Sequence, residues 1–296
     1  MPRDLFEGRP AMGAEDDDTH PDHDDILNGM PELGRSARVH PSYPSEHVEE
    51  LDPDDSSGYS TPDEETKDKI AKDMERQDAL SEMKPYPKGL TISDVESCVK
   101  LEDATFPLQE RCSREKFEYR FTKCQLSLGM YTSATEDDSE SQASSAPTID
   151  TAQIVYSGAP ERKLVLLAHC VVTKTTNSTI MDADMALPPD WEESGTLAHS
   201  PDPSLGHKEE GRTVCIHSLA VLPAYQGRGL GTMLMKAYIQ RIEQSGAADR
   251  IALLAHDELV NFYAKLGFEV KGPSKATFGG GGWVDMVLEL KNQPLG

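Results

Sequence analysis

The sequence predicts an α/β domain in which strands and helices alternate behind an acidic leader. Short apolar runs of strand length alternate with longer stretches whose apolar residues recur at three- and four-residue steps. One strand-like run passes into a helix-like one through the glycine-rich turn "QGRGLG", residues 226–231. Charge and apolar content are also unevenly divided along the chain.

The chain has 296 residues and a formal net charge of −23. Residues 1–87 hold 24 Asp and Glu against 9 Lys and Arg, with runs such as "EDDDTHPDHDD" and "EELDPDDSSGYSTPDEE". Such a segment buries too little apolar surface to offset the entropy of ordering, so residues 1–87 are expected to form a disordered acidic tail. Hydroxyls beside acids in "SSGYSTPDEE" leave two readings, a solvated leader or a contact for a regulatory protein. The folded domain is expected over 88–296, a length that can build one full core.

Along that domain, Ile92, Val95, Val99, Leu101 and Phe106 take near-helical spacing, with Ser93 or Asp94 as a cap, and Pro107 ends the helix. A second helix is expected in "SREKFEYRFTKC", where Phe117, Phe121 and Cys124 share a face, followed by a strand in "QLSLGMYTS". Polar, acid-rich stretches near 133–160 and 182–211 read as insertions on either side of the strand "KLVLLAHCVVTKT". Val214–Val221 is the next strand, and a long helix beginning near Arg228 presents Leu230, Met233, Leu234, Ala237, Tyr238 and Ile242 as one stripe. The strand "RIALLA", a short helix capped by Asp257 and stopped by Gly267, a strand beginning at "FEV" and a closing strand in "GGGGWVDMVLEL" complete the order.

Composition narrows the function. No apolar stretch approaches the roughly 18–20 residues that span a bilayer, and the leader lacks the charged start and apolar run of a secretory signal. The five cysteines, Cys98, Cys112, Cys124, Cys170 and Cys215, show neither a paired framework nor zinc-site spacing, so a cytoplasmic protein without metal is expected. Residues 88–296 carry 20 basic against 28 acidic side chains, which argues against nucleic acid and mildly favours cationic ligands. A monomer is expected.

At the glycine turn, the first N–H groups of the long helix lack intrahelical partners, and the macrodipole adds positive charge there. Gly227, Gly229 and Gly231 remove side chains that would keep an anion away, although glycines before a helix also serve plain turns. The surrounding residues bear on this choice. Gln226, Gly229 and Gly231 fill an Arg/Gln-x-x-Gly-x-Gly/Ala pattern between strand and helix, and "HSLAV", "FYAKLGF", "CVKLEDATFP" and "FTKCQLSLGMY" surround it. In these motifs the chain resembles the GNAT superfamily of acetyl-CoA-dependent N-acetyltransferases, and within it the serotonin (arylalkylamine) N-acetyltransferase branch, over roughly residues 88–290.

The resemblance implies the GNAT acyl-CoA N-acyltransferase fold, a mixed central sheet flanked by helices, and acetyl-CoA as cosubstrate. It places the coenzyme pyrophosphate on the N–H groups of Gly227, Arg228, Gly229, Leu230, Gly231 and Thr232, and the pantetheine arm along Leu219, Ala220 and Val221. Arg228 has two readings, a phosphate contact or a solvated side chain. His217 matches the residue that takes a proton from the amine, and Tyr263 the acid that protonates the departing thiolate. Phe106 and Pro107 match an aromatic acceptor wall, with Trp283 beside the glycine tract as a further contact. Where animal relatives have a second histidine, this chain has Cys215, which weakens a two-histidine relay.

The expected reaction is direct acetyl transfer to a primary amine, either a small arylalkylamine, favoured by Phe106 and Trp283, or a polyamine, favoured by acidity. A protein lysine or N-terminal acetyltransferase and a noncatalytic acyl-CoA-binding regulatory module are the alternatives.

Overall fold

The computed structural model describes residues 63–135, 142–155, 161–189, 191–192 and 204–291. The segment expected as tail is divided by it. Residues 1–62 lie outside the described residues, but helix α1 (Glu64–Met83) and the first half of strand β1 (Tyr86–Gly89) fall before residue 88. Helix α1 has no fully buried residue, which is why a reading based on apolar content passes over it. Its sequence is rich in the strong helix formers Glu, Lys, Ala and Met, and Asp63 caps it by accepting from the Thr66 N–H at 2.8 Å. Leu80 and Met83 pack against the core, and the Thr132 hydroxyl donates to the Met83 carbonyl at 2.6 Å.

Helices α2 (Val95–Thr105) and α3 (Arg114–Lys123) follow, then strand β2 (Leu128–Thr135). Asp94, one of the two expected caps, takes the N-cap position of α2 but makes no side-chain bond to the helix; its carboxylate instead accepts from the Thr91 N–H and hydroxyl at 2.9 and 2.8 Å. The first polar insertion is partly structural. Its described residues include Thr148 and Ile149, both buried, and the two-residue strand β3 (Gln153–Ile154). Strand β4 (Arg162–Thr175) is next, then the short helix α4 (Asp182–Met185) inside the second insertion, with Asp184 buried and accepting from Thr175 at 2.6 Å. The remaining elements are β5 (Thr213–Val221), α5 (Leu230–Ser245), β6 (Arg250–Ala255), α6 (Val260–Ala264), β7 (Glu269–Pro273) and β8 (Val284–Glu289). No side chain caps the turn before α6, so the expected Asp257 cap is not formed.

The strands form a mixed sheet in the order β1-β2-β4-β5-β6-β8-β7, with β3 on β4. Every pair is antiparallel except β5 with β6. Strand β4 is buried from Val165 to Val172, as a central strand covered on both faces requires. Its alternation shows how the faces divide. His169 meets Phe117 of α3 edge-on at 5.7 Å, whereas the next residue, Cys170, lies close to Tyr238 of α5 and Tyr263 of α6. Among the described residues no helix is long and apolar enough to cross a membrane.

Two irregularities of β5 position the site. The parallel pairing with β6 runs from Thr213↔Arg250 to Ile216↔Leu253 and ends there, leaving the β6-facing backbone of His217–Val221 without a ladder. On its other edge, Ser218 pairs with Val171 and Ile216 with Val172, so His217 is the extra residue of a β-bulge. A bulge interrupts the up-down alternation of side chains and re-aims the residue it contains. Here successive residues, His217 and Ser218, both reach side chains of the α2/α3 face, through Thr173 and through His169 and Glu102 respectively.

Candidate active site

A cavity opens where β5 and β6 part, lined among others by His217, Ser218, Leu219, Leu253, Tyr263, Phe106 and Trp283. It brings together both expected catalytic residues, one expected cofactor residue and two of the three expected acceptor contacts. Pro107 is exposed and does not line it.

His217 is the best defined of these. Its Nδ1 lies 3.1 Å from Met185 Sδ, and its Nε2 lies 2.7 Å from the Thr173 hydroxyl. A thioether only accepts, so Nδ1 carries the proton and Nε2 accepts from Thr173. Burial, followed by the charges of Arg120, Lys116 and His207, holds the His217 pKa well below its ordinary value. The imidazole is therefore neutral at neutral pH, with its basic nitrogen covered by a hydroxyl that can rotate away. Tyr263, 6% exposed, packs edge-on against Phe262 and Phe268 at 4.9 and 5.8 Å. Burial above all raises its pKa, so the phenol keeps its proton. Cys215 points into a small separate cluster with Ile180, Ala252 and Val287, and burial raises its thiol pKa well above the ordinary value. It is a packed thiol and not a nucleophile.

The glycine turn takes the conformation its sequence permits. Gly227 and Gly229 have φ of 75° and 85°, and Gly229 is the N-cap of α5 without a side-chain cap. The helix begins at Leu230, two residues later than the sequence suggests. Nothing lies within 4 Å of a Cβ placed on Gly227, which leaves open space beside the free N–H groups. Gln226 Nε2 donates to the Val221 carbonyl at 2.9 Å and ties the turn to β5. Arg228 stacks over Tyr225 with its guanidinium carbon 5.7 Å from the ring centroid. A Cβ on Gly231 would be 3.5 Å from Val221 Cγ2 and 3.8 Å from Phe262 Cζ, so strand, turn and α6 converge there. Ala220 is buried, and Thr232 lies in the first turn of α5.

Several lining residues were not singled out in the sequence. Glu102, 1% exposed, accepts from the Ser218 hydroxyl at 2.5 Å and the Cys112 N–H at 3.1 Å, with His169 Nε2 at 3.2 Å. Burial pushes its carboxyl up, but hydrogen bonding and attraction from His169, then the bonds from Ser218 and Cys112, outweigh it and the pKa falls. Glu110 pairs with His256 at 3.3 Å, and His256 stacks on Trp283 with centroids 4.1 Å apart. Trp283, 8% exposed, donates its indole N–H to the Phe278 carbonyl at 2.6 Å. The one signal available in the sequence was the i, i+4 spacing of Lys116 and Arg120 on α3, which puts both on one face.

Residues 190–290 match the family model of the acetyltransferase (GNAT) domain. Over that stretch the chain is similar to GNAT acetyltransferases. Serotonin N-acetyltransferase of Mesocricetus auratus is 33% identical over 85 residues, covering 29% of this chain and 41% of that protein. The Homo sapiens protein of the same name is 31% identical over 89 residues, covering 30% of this chain and 43% of that protein. The chain thus matches less than half the length of these curated relatives. The loading GNATL domain of CurA from Lyngbya majuscula has a TM-score of 0.47 at 13% identity, covering 71% of this chain and 99% of that one.

Proposed function

We propose that this GNAT domain transfers an acetyl group from acetyl-CoA directly to a small primary amine with an aromatic body. The observation that carries this reading is that a neutral histidine and a protonated tyrosine line one cavity where β5 loses its pairing with β6. The open glycine turn fits the coenzyme phosphates, and the unpaired backbone of His217–Val221 fits an extended amide arm. Acetyl-CoA supplies the activated thioester carbonyl.

An alkylamine is mostly protonated at neutral pH and attacks only as the free base. His217 Nε2 takes that proton once the Thr173 hydroxyl turns aside. The amine nitrogen bonds to the acetyl carbon, the carbon–sulfur bond breaks, Tyr263 delivers its proton to the departing sulfur, and the excess proton left on the acylated nitrogen restores the Tyr263 phenol. Phe106, Phe278 and Trp283 form the aromatic surroundings of the acceptor. No acyl-cysteine is required, which agrees with the buried, protonated Cys215.

Steady-state acetyl transfer to tryptamine, spermidine and a lysine peptide tests the reading. The expected result is a kcat/KM for tryptamine at least tenfold above the other two. Preference for the peptide favours a protein acetyltransferase. Acetyl-CoA binding without transfer to any amine makes the domain a noncatalytic acyl-CoA module.

A further inference from the structure

The charged residues of the acceptor cavity are unequally engaged. Its two acids have partners: Glu102 holds His169, Ser218 and the Cys112 N–H, and Glu110 holds His256. Its two long cations form ion pairs with neither of these acids. Arg120, 4% exposed, makes one hydrogen bond, from Nη1 to Cys112 Sγ at 3.1 Å, and Lys116 lies over the Phe278 ring at 5.0 Å from its centroid. Among the described residues neither Arg120 nor Lys116 has a carboxylate within ion-pair distance.

A guanidinium this deeply buried loses most of its hydration, and a thiol is a poor acceptor in exchange. Such a charge is normally paired, and the planar fork of arginine matches a carboxylate in two parallel bonds. Here the missing partner is on the cavity side, since both residues line the space that also holds His217 and Trp283. The arrangement also works against a polycation, although the overall acidity of the folded part favours one. What a bound ligand meets is the local charge of the cavity and not the total of the domain.

We propose that the acceptor carries a carboxylate beside its aromatic body, bound by Arg120 and Lys116, so that the substrates are aromatic amino acids rather than simple arylalkylamines. This rests on the acetyl-transfer reading and names its substrate class. A carboxylate also neutralises the two cations that face His217, so the acceptor brings its own compensation to the base. A simple amine leaves the guanidinium without a partner.

The test has a turnover arm and a binding arm. In the first, kcat/KM is compared for tryptophan and tryptamine, which differ only in the carboxylate. Wild-type protein is expected to favour tryptophan by at least tenfold, and Arg120→Gln to reduce that ratio by about 10- to 100-fold, the weight of a charge-assisted hydrogen bond. Lys116→Gln, at a partly exposed position, is the second variant and keeps the test decisive if Arg120→Gln fails to fold; a smaller reduction of the same sign is expected. The second arm measures, by calorimetry on protein loaded with coenzyme A, the binding of indole-3-propionate, which has the carboxylate and no amine. Binding by the wild type that weakens in both variants supports the proposal whether or not any amine is turned over. Absent binding, binding unchanged in both variants, or a preference for tryptamine overturns it. Intact binding with no acetyl transfer to any amine overturns the acetyl-transfer reading and leaves the carboxylate site standing.

Discussion

The glycine turn and the cavity beside His217 share strand β5, yet they are built in opposite ways. At the turn, contiguous residues do everything: Gln226 fastens it to β5, Gly227 and Gly229 supply positive φ, and Leu230 starts the helix. Around the cavity, residues from α2, α3, the β5 bulge, α6 and the segment before β8 meet across long sequence separations, as in the Ser218–Glu102 bond. The turn works through backbone and needs side chains kept small. The cavity works through side chains and needs them aimed.

The largest effect separates these two regions by function. His217→Gln is expected to lower kcat by about 10²- to 10⁴-fold while leaving the acetyl-CoA dissociation constant within twofold, since base catalysis is lost and the coenzyme contacts remain. A kcat loss below threefold, with chemistry rate-limiting, would return His217 to a packing role. Gly229→Val should do the reverse. It puts a branched residue at φ 85° beside Leu80, whose Cδ1 would be 3.7 Å from the new Cβ, and acetyl-CoA affinity should fall about tenfold or more. Unchanged affinity in a folded variant, read by calorimetry, would place the anion site elsewhere.

A third prediction concerns α1, which borders the turn through Leu80. Compared with a chain starting at Asp63, one starting at Lys88 loses α1, half of β1 and the packing of Leu80 and Met83. Its thermal midpoint should fall by about 5 °C or more. Equal midpoints would show that α1 adds nothing to the core.

The smallest expected effect sharpens the electrostatics of the cavity. Burial is the first cause of the low His217 pKa, and Arg120, Lys116 and His207 add to it. Removing one cation by Lys116→Gln therefore raises the folded pKa toward 6.5, the ordinary histidine value. The acidic limb of kcat/KM should move to higher pH with the same amine in both proteins. The sign for stability is also fixed. With the folded pKa below the unfolded one, the unfolded chain binds the proton first, so stability is full above about pH 6.5 and declines as pH falls toward the folded pKa. Lys116→Gln should shallow that decline in a urea titration, and a steeper one would contradict the assignment.

Much of the fold was legible because its signals are local. The apolar spacing of α5 survives folding, with Leu230, Leu234, Tyr238 and Ile242 buried as expected, although Met235 is buried too. Helix α1 escaped because its helix-forming tendency lies in polar residues and its few inward contacts leave no apolar stripe. Thr148 and Asp184 escaped for a related reason. Each is a polar residue in a polar stretch, buried because a partner elsewhere in the chain accepts or donates its hydrogen bond.

The sequence by itself determined the glycine turn and the strand before it, because these depend on residues a few positions apart, and its resemblance to the GNAT superfamily pointed to His217 and Tyr263 as candidate proton carriers. Tertiary structure decided what those carriers can do. A bulge opposite Val171 and Val172 brings His217 and Ser218 onto one face, and burial with nearby cations sets the histidine neutral. The chain folding α3 over that face also sets Arg120 against Cys112 Sγ, with no carboxylate in ion-pair reach among the described residues. Strand register, dehydration and charge pairing are properties of residues distant in sequence and close in space, and only the packed sheet brings them to one place.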